Sequence, residues 1–163
     1  MRRDREAIFL DTTYILPFFG VKLDIQGAEE LEKTLSGYDE LHISETSLLE
    51  SKAKLLRLAI KDPSFEATVQ GFGENLDFLR GDERVIFHRY TGLDDRRFNI
   101  INTLSPRLNF FDEMILAESI SVGCLLTEDE MILSLGRNPE FHARQEFDGF
   151  RVLRLRDLVK GIG

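Results

Sequence analysis

A short apolar run, Cys124–Leu126, constrains the fold of this chain more than any other stretch of its sequence. It follows a predicted helix at 111–122, which Gly123 ends, and it precedes a cluster of acids. A run of this kind is typical of a strand buried on both faces in a parallel sheet. The helix and the strand each travel roughly 15 Å, so the chain returns to the edge that it left. Asp112 and Asp129 are therefore predicted to lie at one edge of the molecule.

The rest of the sequence repeats this alternation of strands and helices. Strands are predicted at 7–11, 40–43, 84–88, 124–126 and 150–155. Helices are predicted at 28–35, between Ser44 and Pro63, and at 64–80, 93–104, 130–135 and 157–160. Alternation of this kind predicts an α/β protein in which helices cover both faces of a parallel sheet. No repeat or flexible linker interrupts the pattern, so residues 1–163 are predicted to form a single domain.

The helix after Ser44 has the most regular pattern in the sequence. The pattern predicts that its apolar residues share the buried face and that its four cations lie mostly outside. The apolar residues are Leu48, Leu49, Ala53, Leu56 and Ile60, and the cations are Lys52, Lys54, Arg57 and Lys61.

Composition narrows the class of protein. The net charge of −8 argues against nucleic-acid binding through a general basic surface, although metal ions offset local acidity in nucleases. The start of the chain does not resemble a signal peptide, and no apolar run is long enough to span a bilayer. The only cysteine, Cys124, excludes an internal disulfide, and the three histidines lack the spacing of zinc ligands. A cytoplasmic protein without a membrane partner is expected.

Four carboxylates from separate segments are predicted to meet at the carboxyl ends of the strands, where sites form in open α/β sheets. Asp11 ends the first strand, Glu50 lies early in the helix after the second, Asp112 starts a helix, and Asp129 follows a strand. Taken singly, each acid has an ordinary structural explanation as a helix cap or a solvated side chain.

Carboxylates that converge repel one another unless a cation lies among them. An all-oxygen set favours Mg²⁺ or Mn²⁺, which can activate water and stabilise a leaving oxygen, and this indicates phosphodiester hydrolysis. The hydroxyls of Thr12, Thr13 and Thr127 are candidates to hold a phosphate, a metal-bound water or a carboxylate.

Four sequence segments together resemble the PIN-domain family, which includes the VapC-type toxins. They are IFLDTT at 8–13, ISETSLLE at 43–50, FDEMILAES at 111–119 and LLTED at 125–129. The resemblance implies a three-layer α/β/α sandwich with a central, mainly parallel sheet of four to five strands. It also implies cleavage of single-stranded RNA with Mg²⁺ or Mn²⁺, a homodimer, and an antitoxin protein as a partner.

The same resemblance assigns roles to individual residues. Asp11, Glu50, Asp112 and Asp129 match the four acidic positions of the family, which are catalytic and hold the metal. Thr12 and Thr127 match its hydroxyl positions and are expected at the substrate phosphate. Additional acids near the predicted pocket are expected to be solvated, with extra metal ligands or groups that repel the phosphate as alternatives; they are Glu45, Glu113, Glu128 and Glu130.

Two other functions remain open from the sequence. A PIN-like fold can serve as a non-catalytic RNA-binding or scaffolding module, which the complete set of four acids disfavours. A phosphohydrolase with Asp11 as nucleophile is the third reading. That chemistry needs a second acid two residues later, where this chain has Thr13.

Overall fold

The computed structural model describes residues 6–160. Predictions about residues 1–5 and 161–163, including the signal-peptide argument and the outer limits of the single domain, lie outside these residues. Strands β1 to β5 are Ala7–Leu10, Glu40–Ser44, Val85–His88, Cys124–Leu126 and Arg151–Leu153. Helices α1 to α10 are Thr12–Ile15, Leu31–Leu35, Glu45–Lys61, Glu66–Gln70, Phe72–Gly81, Gly92–Leu104, Phe110–Ser119, Glu130–Leu135, Pro139–His142 and Leu155–Lys160.

The five strands form one all-parallel sheet in the order β3-β2-β1-β4-β5. β1 is central, and its register pairs Ile8 with Leu41 on one side and Phe9 with Leu125 on the other. The predicted parallel α/β sheet is therefore confirmed. β5 lies at an edge of the sheet.

Helices cover both faces of the sheet and create two separate cores. Ile8, Leu10 and Ile43 point into one core, which includes residues of α1, α2, α3, α5 and α10. Phe9 and Leu125 point into the other, which includes residues of α6 to α9. Side chains alternate between faces along a strand, so β1 contributes to both cores. The result is the three-layer α/β/α arrangement.

Capping side chains fix where several helices begin. Ser44 accepts a hydrogen bond from the Thr46 amide at the start of α3. Thr91 and Asp94 form a reciprocal capping box at the start of α6. Asn109, rather than Asp112, caps α7, which leaves the Asp112 carboxylate available for another role.

Several predicted boundaries differ from the structure. The helix predicted at 64–80 is divided into a 3-10 turn, α4 and α5, with the break at Gly71. The helix predicted at 28–35 is a 3-10 turn followed by the short α2. Asp11 lies just beyond β1 and caps α1, because its carboxylate accepts from the Thr12 amide.

The predicted orientation of α3 is wrong for its apolar residues other than Leu48, which is buried as predicted. Leu49, Leu56 and Ile60 are 74%, 46% and 83% exposed. The fully buried positions are Ser47, Leu48, Ser51 and Leu55. α3 packs against both α1 and α7, and serines let helix backbones approach more closely than leucines do. The apolar stripe that the sequence pattern emphasises therefore faces outward.

The helices of residues 6–160 do not include one with the length and hydropathy needed to cross a membrane.

Candidate functional site

Asp11 is the most buried of the four predicted acids, with 5% of its surface exposed. Its Oδ1 accepts from the Thr12 amide at 2.7 Å, and its Oδ2 accepts from the Thr127 hydroxyl at 2.6 Å. Burial raises the pKa of Asp11, while these two hydrogen bonds and the nearby Lys54 ammonium lower it. The two threonines therefore oppose the rise in the pKa of Asp11, which burial dominates.

Glu50 joins the same network from α3. The Thr12 hydroxyl donates to Glu50 Oε2 at 2.5 Å, and Lys54 Nζ lies 3.3 Å from Glu50 Oε1. Lys54 follows Glu50 by one helical turn, which is the spacing of an ion pair along a helix. The sequence alone did not assign Lys54 to the site, although its i, i+4 spacing from Glu50 is typical of an ion pair on a helix.

Asp129 reaches the site from the end of β4. Its Oδ1 accepts from the amides of Met131 and Ile132, each at 2.9 Å, so Asp129 caps α8. The Thr127 hydroxyl accepts from the Asp129 amide at 3.0 Å while it donates to Asp11. Asp129 therefore caps α8, as the sequence allowed, and this cap uses only one of its two carboxylate oxygens.

Asp112 differs from the other three acids because no hydrogen bond or ion pair joins its carboxylate to another residue within 6–160. Burial raises its pKa to about 7, and the charges of Asp11, Asp129 and Glu50 add to the rise. Lys54 opposes the shift. The structure thus brings the four predicted acids within electrostatic reach of one another at the carboxyl edge of the sheet.

The four acids are ligands of the chemical type that a hard divalent cation prefers. All four acids offer oxygen, one has no partner, and mutual repulsion raises the pKa of Asp112. Among residues 6–160, no three His, Cys, Asp or Glu side chains are already arranged to hold one ion. Binding by three of the carboxylates at once would require side chains to rotate from these positions.

Thr12 and Thr127 are almost fully buried, and their hydroxyls contact carboxylates. Of the alternatives that the sequence left open, the carboxylate is the partner seen here. A role at the substrate phosphate remains a prediction.

Two of the additional acids are not solvated, contrary to the prediction. Glu113 is 2% exposed and accepts a hydrogen bond from the Asn102 side chain at 2.9 Å, and this bond links α7 to α6. Glu128 accepts from the buried Tyr14 hydroxyl. Glu45 and Glu130 form ion pairs with Arg89 and Arg154.

The sequence reading also missed a contact between two histidines. His42 Nδ1 lies 2.6 Å from His88 Nε2, because neighbouring strands β2 and β3 present both rings on the same face of the sheet. Burial lowers the pKa of His88, and the nearby His42 lowers it further. No side chain of the four-acid site is hydrogen-bonded to this pair within residues 6–160.

Solved structures with this architecture include chains of the VapBC systems. A chain of VapBC2 from Rickettsia felis, in a complex bound to a DNA fragment from its promoter, superposes with a TM-score of 0.60 and 14% identity. That match covers 91% of this chain and 98% of the other. VapC20 of Mycobacterium tuberculosis, a toxin that cleaves the Sarcin-Ricin loop, gives a TM-score of 0.56 at 13% identity. It covers 78% of this chain and 94% of VapC20.

These superpositions confirm the PIN-like α/β/α fold that the four sequence segments indicated. No protein-family model and no curated protein sequence matches the chain.

Proposed function

We propose that the protein is a divalent-metal-dependent endoribonuclease that hydrolyses phosphodiester bonds of single-stranded RNA. The observation that carries this proposal is the electrostatic coupling of four carboxylates, in which Asp112 lacks a partner and has a pKa of about 7. If the four carboxylates had only a structural role, no cation would offset the repulsion among them. The PIN-like fold, which VapC20 shares, supports RNA as the substrate class.

Asp11, Glu50, Asp112 and Asp129 would hold Mg²⁺ or Mn²⁺ in this function. The bound ion would supply an activated water and would stabilise the leaving oxygen. Thr12 and Thr127 orient Asp11 and Glu50, and their hydrogen bonds oppose the rise in the pKa of Asp11. Lys54 partly neutralises Glu50 in the absence of an ion, so its ammonium would separate from the carboxylate when a cation binds.

The proposed biological setting is a toxin–antitoxin pair in the cytoplasm. The VapBC2 structure is that of a toxin–antitoxin system, and it supports an antitoxin protein as a partner of this chain. We further propose that the protein forms a homodimer.

An RNA-binding or scaffolding role without catalysis is the second candidate. It is favoured by the absence, among residues 6–160, of three ligands already arranged around one ion.

A cleavage assay separates these candidates. The substrates are a labelled RNA with a sarcin–ricin-type loop and an unstructured RNA, each with Mn²⁺, Mg²⁺ or EDTA. Cleavage by the wild type should require metal. Asp112→Asn should reduce the rate by at least about 100-fold, since loss of even an outer partner of a metal ligand costs about 10–100-fold.

Asp77→Asn is the matched control, because Asp77 is an exposed acid of α5 far along the chain from the four acids. Its rate should equal that of the wild type. Equal cleavage by the wild type and Asp112→Asn would rule out the four acids as the active site. Binding of both RNAs without cleavage in any metal would favour the second candidate.

A further inference from the structure

Three residues just before Asp112 expose side chains of the types that bind single-stranded nucleic acid. Phe110 and Phe111 begin α7 and are 59% and 41% exposed. Arg107 lies in the turn before them, is also exposed, and pairs with no acid within residues 6–160. Apolar side chains that are exposed as a group, rather than singly, are typical of a binding surface.

The two rings are anchored although they are exposed. Phe110 packs edge-on against Phe98 of α6 with the ring centroids 5.6 Å apart, and Phe111 packs edge-on against Phe110 at 5.7 Å. Phe98 in turn packs against the core that includes residues of α6 to α9. The Asn109 side chain accepts from the Phe111 amide and fixes the start of the helix. Both rings therefore have a defined position while part of their surface stays open to a ligand.

The rings lie beside the four-acid site. Phe111 and Asp112 are consecutive residues, so their Cα atoms are about 3.8 Å apart. The charges of Asp11, Asp129 and Glu50 all raise the pKa of Asp112, which places these acids close to it. A ligand on the rings would therefore lie next to the phosphodiester that the four acids are proposed to cleave.

A groove of about 490 Å³ lies between the same turn and Asp129. Its lining includes Ser105, the C-cap of α6, and Met131, which follows Asp129 by two residues. Glu130 is also part of the lining, and its charge is offset by the Arg154 guanidinium. The surface between the turn and Asp129 is thus concave and open, so an extended chain can lie along it.

We propose that Arg107, Phe110 and Phe111 form an aromatic subsite for single-stranded RNA, in which bases stack on the two rings and Arg107 contacts a phosphate. This inference rests on the proposed function, because it takes RNA as the substrate class. Proteins bind single strands through aromatic side chains that stack on bases and through cations along the backbone. The aromatic subsite has both groups within residues 107–111.

The charge of the protein favours stacking as the main source of affinity. With a net charge of −8, the protein lacks a general electrostatic attraction for RNA. Stacking does not depend on charge, and every base has a face that can stack. The aromatic subsite would therefore hold a strand at the four acids without reading its sequence.

Binding without cleavage tests the subsite. A short uridine RNA, and the same strand with abasic sugars in place of its nucleosides, are titrated in EDTA and low salt with fluorescence anisotropy as the readout. The proteins are the wild type, Phe110→Leu, Phe111→Leu and the double variant, since leucine keeps an apolar side chain and removes the ring. Phe78→Leu is the matched control, because Phe78 is 80% exposed on α5.

The wild type should bind the uridine RNA at least about 10-fold more tightly than the abasic strand. This preference should fall to about twofold or less in the double variant, and each single variant should lose part of it. Phe78→Leu should retain it in full. Because the two strands are compared on the same protein, a smaller fraction of folded protein does not imitate the loss, and the single variants serve if the double variant does not fold.

Two results would overturn the inference. One is a wild type that binds neither strand at about 100 μM protein. The other is a double variant that keeps the preference for the strand with bases, which would leave the rings as a surface for another protein.

Salt dependence tests the contact of Arg107 with a phosphate. Arg107→Gln should weaken binding of both strands and lower the slope of log affinity against log salt by about 0.7, the value for one phosphate on a single strand. Lys61→Gln removes an equal charge at the far end of α3 and should leave the slope unchanged. An unchanged slope in Arg107→Gln would rule out the phosphate contact.

Cleavage kinetics separate the subsite from the nuclease assignment. If both are correct, the double variant should cleave RNA with a raised KM and a kcat near that of the wild type. Binding that depends on the bases and on the two rings, without cleavage in Mn²⁺ or Mg²⁺, would support the subsite and contradict the nuclease assignment. Metal-dependent cleavage at equal kcat/KM by the wild type and the double variant would support the nuclease and overturn the subsite.

Discussion

The Thr127 hydroxyl connects two of the four acids, since it donates to Asp11 and accepts from the Asp129 amide. Thr127→Val keeps the shape of the side chain and removes both bonds in a fully buried position. We expect a loss of about 1–3 kcal/mol in the free energy of unfolding, the cost of leaving buried polar groups unpaired. Urea denaturation measures it.

Thr13→Val is the control for this substitution. Thr13 is only half-buried, and no hydrogen bond involves its side chain within residues 6–160. Its effect should be below about 0.5 kcal/mol. Equal losses for the two variants would contradict the proposed role of the Thr127 hydroxyl.

Glu118 of α7 gives the protein a pH-dependent stability. It is 1% exposed, and neither carboxylate oxygen has a hydrogen-bond partner. Burial raises its pKa to about 7; the nearby Ser44 hydroxyl opposes the rise, and Asp94 and Glu45 add to it. Between about pH 4 and pH 7 the folded protein therefore holds a proton that the unfolded chain has released. The free energy of unfolding should fall as pH rises through this window and level off above it.

Glu118→Gln should remove this contribution. The variant should be more stable than the wild type by about 2 kcal/mol at pH 8, with a smaller difference at pH 5. Thermal unfolding at several pH values measures it, and Glu83→Gln at an exposed position serves as the control. A stability difference between Glu118→Gln and the wild type that does not vary with pH would contradict the raised pKa of Glu118 as its cause.

At the scale of single residues, the sequence predicted the positions of the four acids well. Each follows a strand end or lies in the first turns of a helix, which local patterns can place. The hydrogen bonds from Thr12 to Glu50 and from Thr127 to Asp11 could not be predicted in the same way. They join residues 38 and 116 positions apart, and they depend on the strand register.

Among the elements, α3 shows where a sequence pattern misleads. Its strongest apolar stripe was assigned to the core, yet the position of α3 is determined by the end of β2 and by close packing against α7. Periodicity locates an apolar face but does not say whether the monomer or a partner covers it. β4 was predicted correctly because a strand buried on both faces has no such ambiguity.

Two glycines, one just after a helix and one within a helix, allow a matched test of element packing. A Cβ at Gly136, after α8, would lie 2.6 Å from Val152 Cγ2 of β5, whereas a Cβ at Gly73 in α5 meets nothing within 4 Å. Gly136→Ala should therefore destabilise the protein by about 1–3 kcal/mol through overpacking. Gly73→Ala should stabilise it by about 0.5–1 kcal/mol.

Urea denaturation of both variants measures these effects. The two substitutions are chemically identical, so opposite signs would show that the contact with β5 decides the outcome at Gly136. A stabilising Gly136→Ala would mean that α8 can move away from β5 at little cost.

At the scale of the whole molecule, a bound cation should stabilise the fold because it relieves the repulsion among the four acids. Mn²⁺ at 100 times its dissociation constant should add about 2.7 kcal/mol to the free energy of unfolding. The melting temperature of the wild type should rise with Mn²⁺, and that of Asp112→Asn should rise much less. An equal rise in the melting temperatures of both proteins would mean that Mn²⁺ binds outside the four acids.

The order of the strands has a consequence for the synthesis of the protein. β1 lies at the centre of the sheet, yet its neighbour β4 and two of the four acids come from residues after 110. A nascent chain can pair β1 with β2 and β3 early, but Asp11 then lacks Thr127, Asp112 and Asp129. The acid cluster therefore cannot assemble until Asp129 has left the ribosome. If the cluster cleaves RNA, the ribosome that makes the protein is spared its activity until that point in translation.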